Sequence, residues 1–338
     1  MIINHIGCDI ISYTVKYGKH IMESFEFESG RILENVEVSY FTSGIPKYDE
    51  EGNITNAIIY SPTLQGQYSF FSNFRDLVDT NEINKDEYYF ISIFSLGNPE
   101  SCSPSTTNLI HTFPEYTFKD RVNFKKQFLA EKFDNVKKLF GIVAEGVGGY
   151  ETFTWACEYP DDMEFIIVLN GAHKVSGYSY VIAKCIEGII DAADDFYSDI
   201  YDVSLSKAVV IISRLIFAGY FSEKVLENLS FDELDVFMED YIDDSLSMDI
   251  YDFKFRNDCI LKYDLKDKIS NIKAKSLIIG IDGYLFINVE TQIAPLADLI
   301  EDSKVLIFHS KNDNYMDAEN YSEIISELHS FVTSLKKV

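Results

Sequence analysis

The sequence predicts an α/β protein, a mostly parallel β-sheet flanked by helices and carrying a helical insertion. Three observations support this. Short apolar runs alternate with helical sequence along most of the chain. One of these runs, Leu139 to Val143, passes through a glycine-rich turn straight into a helix containing Trp155 and Ala156. Residues from about Val175 to Lys266 keep helical periodicity without a good strand.

The elements follow in order. Ser24 to Glu28 alternates Phe25 and Phe27 with acids, and Val36 to Thr42 alternates again, so both read as strands. Ser29-Gly30 between them reads as a turn, and Gly44, Pro46 and Gly52 mark a loop. Ala57 to Tyr60 is a short buried strand ending at Ser61-Pro62. Tyr88 to Phe94 is another, ending in the polar loop Ser95 to Asn108. The charged, amphipathic stretch Phe118 to Phe140 predicts helix to about Leu129 and again before the next strand. Leu139 to Val143, Phe165 to Leu169, Ser276 to Ile281 and Val305 to Phe308 are the later strands, and Ala318 to Leu335 is the last helix. Continuous apolar runs of this kind suit parallel strands buried on both faces. The expected division is a core of residues 1–174 and 267–338, with 175–266 as a helical lid over the sheet's C-terminal edge. The acidic run from Asp191 to Asp244 lacks the spacing of a calcium loop and reads as a solvated helix face.

Composition narrows the function. The 338 residues carry a net charge of −26, which repels a phosphate backbone and argues against nucleic acid or an anionic membrane as partner. The most apolar stretch, Ala208 to Tyr220, is interrupted by Ser213 and Arg214 and is too short to span a bilayer. Cys8, Cys102, Cys157, Cys185 and Cys259 are odd in number and scattered, as expected of free thiols in a reducing compartment. No signal peptide is evident, so a cytoplasmic protein is expected. The six histidines show no metal-ligand spacing, and no metal site is expected. The glycine cluster fits neither a dinucleotide fingerprint, which would need glycine at Glu151, nor a Walker loop; no cofactor is expected.

The stretch Gly141-Ile142-Val143-Ala144-Glu145-Gly146-Val147-Gly148-Gly149 has the layout of a nucleophile elbow. In α/β-hydrolase enzymes that turn reads G-x-S-x-G and exposes the serine. Here Gly146 stands at the serine position and Ala144 at the first glycine.

Further segments extend the comparison. Phe27-Glu28-Ser29-Gly30 with Val38-Ser39-Tyr40, then Asn56-Ala57-Ile58-Ile59 with Leu64-Gln65-Gly66, then Ser95-Leu96-Gly97 and Ser103-Pro104-Ser105, precede the telling segment Phe113-Pro114-Glu115-Tyr116-Thr117-Phe118-Lys119-Asp120. Val147-Gly148-Gly149, Trp155-Ala156 and Tyr159-Pro160 complete the series. In order and spacing the chain resembles the homoserine O-acetyltransferase family, acyltransferases of α/β-hydrolase fold, from about Phe25 to Val332. The resemblance implies that fold with a helical lid. It also implies a serine that attacks the acetyl thioester of acetyl-CoA, a histidine that takes the proton and an aspartate that orients the histidine. Carried over, the serine falls on Gly146, the aspartate on Gly283 by way of Leu285-Phe286, and the histidine on Asn312 by way of Asp313 and Tyr315. A lid motif survives as Gly219-Tyr220-Phe221-Ser222 with its arginine replaced.

Glycine has no side chain to acylate, and an amide cannot relay a proton near neutral pH. Replacement groups are Asp282, one residue before Gly283, His309, and Glu145, whose side chain is expected to face a neighbouring loop or solvent. His111 and His173 read as ordinary loop or surface histidines, and Cys102 as an inert thiol bordering the pocket. The elbow amides at Val147 and Gly148, a donor near Leu64, and Asp313 would line a surviving anion or carbonyl pocket. The leading expectation is a catalytically inactive family member, a pseudoenzyme with a binding, scaffolding or regulatory role. Its partners would be a second copy, as a homodimer through lid helices, or an active homologue, and its ligand a small acyl compound or amino acid. The competing readings are an active acyltransferase or hydrolase with relocated groups, and a small-ligand sensor.

Overall fold

The computed structural model describes residues 15–62, 87–193, 195–198, 203–220, 226–245, 249–283, 285–308 and 318–335. Its strands are β1 Lys16–Glu26, β2 Ile32–Gly44, β3 Ala57–Ser61, β4 Tyr89–Ile93, β5 Leu139–Glu145, β6 Met163–Leu169, β7 Lys275–Ile281 and β8 Ser303–Phe308. Among the described residues they form one eight-stranded sheet in the order β1-β2-β4-β3-β5-β6-β7-β8. β2 runs antiparallel to both its neighbours, and the pairings from β4 through β8 are parallel.

The helices are α1 Phe118–Lys132, α2 Val147–Glu158, α3 Gly177–Asp191, α4 Val203–Tyr220, α5 Phe231–Ser245, α6 Ile250–Leu261, the single turn α7 Leu296–Leu299 and α8 Ala318–Leu335. Alternation along the strands sends side chains to two cores. One face sends Ile59, Ile91, Ile142, Ile166 and Ile278 into a cluster with Phe124, Phe128 and Phe153 of α1 and α2. The other sends Val143, Phe165, Ile167, Leu277 and Ile279 against Ile324, Leu328 and Phe331 of α8. This two-sided burial is why the central strands read as unbroken apolar runs.

Local chemistry explains the entry into α1. Thr117 caps the helix: its hydroxyl accepts from the Asp120 amide at 3.1 Å, and Asp120 Oδ2 accepts from the Thr117 amide at 2.9 Å. Asp120 Oδ1 also accepts from the Glu28 amide at 2.7 Å, tying α1 to the β1–β2 hairpin. The helix then continues to Lys132, three residues past the expected end, and the second helical stretch expected before β5 is absent. Residues 134–135 turn instead, with the Val136 amide donating to Phe133 O and Asn135 O accepting from the Ile54 amide at 2.8 Å. Asp134-Asn135 supplies turn-forming side chains where helical continuation was expected.

Between β6 and β7 the described residues contain α3 to α6 and no strand; the ends of the segment meet in an isolated bridge between Lys174 and Asp264. Ile182, Ile186, Ile190, Val209, Ile212 and Phe253 give these helices a core of their own. Among the described residues no helix is long and apolar enough to cross a membrane.

Candidate functional site

β5 ends at Glu145 and α2 begins at Val147, so the whole reversal falls on Gly146. Its φ of 53° and ψ of −120° lie where a Cβ is strained and glycine is not. The turn is pinned from both sides. The Gly146 amide donates to Leu169 O at 2.9 Å, and Gly146 O accepts from the Gly149 amide at 2.9 Å. Gly148 packs directly on the end of β3: a Cβ there would lie 2.1 Å from Ser61 O and 2.6 Å from Pro62 O.

Beside this turn lies a cavity of about 200 Å³. Its floor is the elbow itself, Glu145, Gly146 and Val147, with Tyr150 of α2 and Asn170 from the end of β6. Its opposite wall comes from the helices between β6 and β7. α3 contributes Ile182, Ala183 and Ile186, α4 contributes Ile216 and α5 Tyr241. α6 contributes Phe253, Arg256, Asn257 and Ile260, and Phe286 and Ile287 close the side after β7.

The polar groups at this cavity are held in place. Asn170 takes a positive φ of 45°; its Oδ1 accepts from the Ile281 amide at 2.7 Å, and its own amide donates to Ile279 O. Asn257 Nδ2 donates to Ala183 O at 2.9 Å, locking α6 to α3. The Arg256 guanidinium, 7% exposed, stacks on Phe253 with Cζ 4.7 Å from the ring centroid. Burial, foremost, lowers the Arg256 pKa, and the charge of Arg121 lowers it further. Ser179 lines the cavity and gives its hydroxyl to Ser176 O at 2.7 Å.

A second polar assembly lies behind α2. Glu151, 1% exposed, pairs with Lys125 Nζ at 2.5 Å and with Arg121 Nε at 3.2 Å, and accepts from the Ser95 hydroxyl at 2.9 Å. Lys125 also reaches Ser61 Oγ at 3.2 Å, so the cluster joins α1 and α2 to the ends of β3 and β4. Burial pushes the Glu151 carboxyl up, but the Lys125 and Arg121 charges, with hydrogen bonds from Lys125 and Ser95, hold it below its ordinary value. Asp252 of α6 makes a comparable anchor: it accepts from the Ser103 and Ser105 hydroxyls and from the Ser105 amide.

The structure brings Glu145, Gly146 and Val147 together at one cavity, with Gly148 behind them against β3. Glu145 is a correction. It does not face solvent; it is 9% exposed and lines the cavity, because β5 is covered on both faces up to its last residue. Asp282 and Gly283 sit exposed in the turn after β7, outside the cavity lining. Gly283 has φ 108°, and its amide donates to Asp282 Oδ1 at 2.9 Å. His173 lies in the loop after β6, as expected, but it is buried and not at the surface. Its Nδ1 lies 3.1 Å from Gln292 O, and burial lowers its pKa. His111 sits half-buried beside the Tyr251 and Tyr197 rings. Cys102 is buried away from the cavity, its thiol pushed up to about 12 by burial first and then by Asp252. Leu64, His309, Asn312 and Asp313 lie outside the described residues.

Sequence reasoning missed Arg256, Asn257, Tyr241 and Asn170. An arginine directly after the Phe253-Lys254-Phe255 run was the local signal available. Among the described residues, no histidine or cysteine lines the cavity, and no group of three His, Cys, Asp or Glu side chains is placed to hold a metal ion.

No family model matches the chain. A Methanothermobacter thermautotrophicus protein named "Probable acyltransferase" is 34% identical over 290 residues, covering 86% of this chain and 89% of that protein. A homoserine O-acetyltransferase of Corynebacterium glutamicum is 27% identical over 158 residues, 45% of this chain and 41% of that one. Among solved structures, an acetylester hydrolase from Corynebacterium glutamicum matches with a TM-score of 0.78 at 19% identity, over 96% of each chain. A homoserine O-acetyltransferase from Staphylococcus aureus matches with a TM-score of 0.72 at 19% identity, over 95% of each chain. The shared architecture is the α/β-hydrolase fold.

Proposed function

Because the chain belongs to the homoserine O-acetyltransferase-like family of acyltransferases, we propose that it is a non-catalytic member, which binds a small ligand where its relatives' elbow would place a nucleophile. The observation that carries this reading is Gly146. The turn keeps its geometry, φ 53° and ψ −120°, at the edge of a cavity, with no side chain at the position from which an acyl group would be attacked. Loss of a nucleophile costs roughly 10⁶ in turnover, and further losses in the same triad add little. What persists is the scaffold: the α2 N-terminal amides, the floor of the cavity and the helices above it. Binding survives loss of the nucleophile because backbone donors and apolar walls do not depend on it.

The test is direct. The full chain is incubated with acetyl-CoA and homoserine, and separately with short acyl esters. No turnover above the protein-free rate is expected, whereas turnover of roughly 1 s⁻¹, inside the ordinary enzyme range, would overturn the proposal. Gly146→Ser restores a hydroxyl alone. With an amide, Asn312, at the position the resemblance gives to the base, intact-protein mass spectrometry should detect no acyl-enzyme in that variant.

A second reading, catalysis by a relocated group, draws on one observation: Glu145 lines the cavity next to Gly146. Under that reading Glu145→Gln abolishes a turnover that the native chain shows. Self-association through the helices between β6 and β7 fits the apolar side chains these helices leave exposed, among them Tyr178, Val181, Ile211 and Phe231.

A further inference from the structure

We propose that the cavity beside Gly146 takes a short aliphatic primary amide. Its carbonyl oxygen accepts from Asn170 and Tyr150, its NH2 donates to Asn257 and Glu145, and its chain lies among the isoleucines of the insertion. This rests on the non-catalytic reading above and names the ligand class of that same site.

Three features of the cavity select this chemistry. The first is charge. The described lining holds one acid, Glu145, and one base, Arg256, so it presents no net formal charge for a ligand to offset. An anionic ligand would meet the Glu145 carboxylate and a cationic one the Arg256 guanidinium, each at a cost in a site withdrawn from water. A neutral head group avoids both. Glu145, Tyr241 and Arg256 already make contacts of their own. The assignment asks nothing of Tyr241 or Arg256. Of Glu145 it asks one lone pair among the roughly four that a carboxylate offers.

The second feature is a set of uncommitted polar atoms. Asn170, Tyr150 and Asn257 line the cavity and are 9%, 5% and 4% exposed. Asn170 Oδ1 accepts from the Ile281 amide, so the free end of that side chain is Nδ2, a donor. Asn257 Nδ2 donates to Ala183 O, so its free end is Oδ1, an acceptor. The Tyr150 ring is fixed by stacking on Tyr263, centroids 4.4 Å apart, and its hydroxyl remains to donate. Among the described residues these three atoms have no hydrogen-bond partner, whereas the Ser179 hydroxyl is already given to Ser176 O. Buried polar groups are favoured by a partner. A primary amide is the complement: two lone pairs on one oxygen for the two donors, and two N–H groups for the Asn257 and Glu145 oxygens. A ketone answers the donors alone, and a carboxylate brings no hydrogen to the acceptors.

The third feature is the space for the tail. Ile182, Ile186, Ile216, Ile260, Phe286 and Ile287 present hydrocarbon. The volume is about 200 Å³, whereas a cavity of about 150 Å³ lined by apolar side chains accommodates benzene. By proportion the space takes an amide of about six carbons, and a chain of about twelve or more exceeds it.

The experiment uses the purified full chain, with isothermal titration and thermal shift against hexanamide, 2-heptanone, hexanoate and hexylamine. The first three share one shape and differ in the head: NH2, a methyl group or a charged oxygen beside the carbonyl. Hexanamide is expected to raise the melting temperature and to bind at least about tenfold tighter than each of the others. Tyr150→Phe removes one donor and should weaken hexanamide and 2-heptanone alike, by about three- to tenfold. Ile186→Phe, which fills the apolar wall, should weaken all four. The ratios in the native chain stand even if a variant misfolds. Any comparator binding within about tenfold of hexanamide, no binding of any of the four, or a folded Tyr150→Phe variant with native hexanamide affinity would overturn the proposal. Hydrolysis of p-nitrophenyl hexanoate, measured in parallel, tests the non-catalytic reading separately. Turnover with hexanamide still preferred over the comparators would sink that reading and leave the ligand assignment standing.

Discussion

At the scale of single residues, the elbow is built from glycines that do different jobs. Gly146 provides a backbone conformation, φ 53° and ψ −120°, that a residue with a Cβ adopts at a cost of about 1–3 kcal/mol. Gly148 provides space, because a Cβ there would collide with the backbone oxygens of Ser61 and Pro62. The two substitutions therefore differ in kind. Gly146→Ala should lower stability by about 1–3 kcal/mol in urea titration and leave the sheet undisturbed. Gly148→Ala must push α2 away from β3, so a loss at or above about 3 kcal/mol is expected. If both variants unfold at the native midpoint, the tight packing described for this turn is wrong. The glycine cluster was legible in sequence as strand, turn and helix. The direction of Glu145 was not, because a strand covered on both faces carries no alternation to read.

At the scale of elements, the Glu151 cluster joins α1, α2, β3 and β4 with charges removed from water. Taking away one member leaves uncompensated buried charge. Glu151→Gln should cost about 3–5 kcal/mol, and Lys125→Met with Glu151→Met should cost less than the two single changes added together. The pH dependence has a definite sign. The Glu151 carboxyl lies below its unfolded value of 4.5. Its ionised form therefore stabilises the fold at pH values above about 4.5, and that contribution is lost as the pH falls through the folded-state value. The stability gap between the native chain and Glu151→Gln should be widest near neutrality and narrow in acid; a constant gap down to acid unfolding would contradict this assignment. Periodicity placed most elements within a few residues, including Ala318 to Leu335. It could not place this cluster. Arg121 and Lys125, spaced like solvent-facing helix charges, turn inward because their partner Glu151 lies on the next helix, a long-range pairing that sequence spacing does not carry.

At the scale of the whole molecule, the alternation of strand and helix specified the sheet, and the resemblance specified its family. The cavity was not legible, because its walls come from segments far apart in the chain, from Glu145 to Ile287. The exposed apolar side chains of the insertion lead to an expectation about assembly. The proposed dimer should sediment as twice the 38.7 kDa chain, and Phe231→Glu, at a side chain 87% exposed, should shift it toward monomer without lowering thermal stability. A monomer at micromolar concentration would refute that arrangement.

The strand order also bears on how the chain is made. β6 pairs with β5 on one side and β7 on the other, and all of α3 to α6 is translated between β6 and β7. For about a hundred residues, several seconds at ordinary elongation rates, the nascent sheet ends in the bare apolar edge Phe165-Ile166-Ile167-Val168-Leu169. A ribosome stalled in that interval presents an aggregation-prone strand, so chaperone demand during synthesis should peak there and fall once β7 emerges.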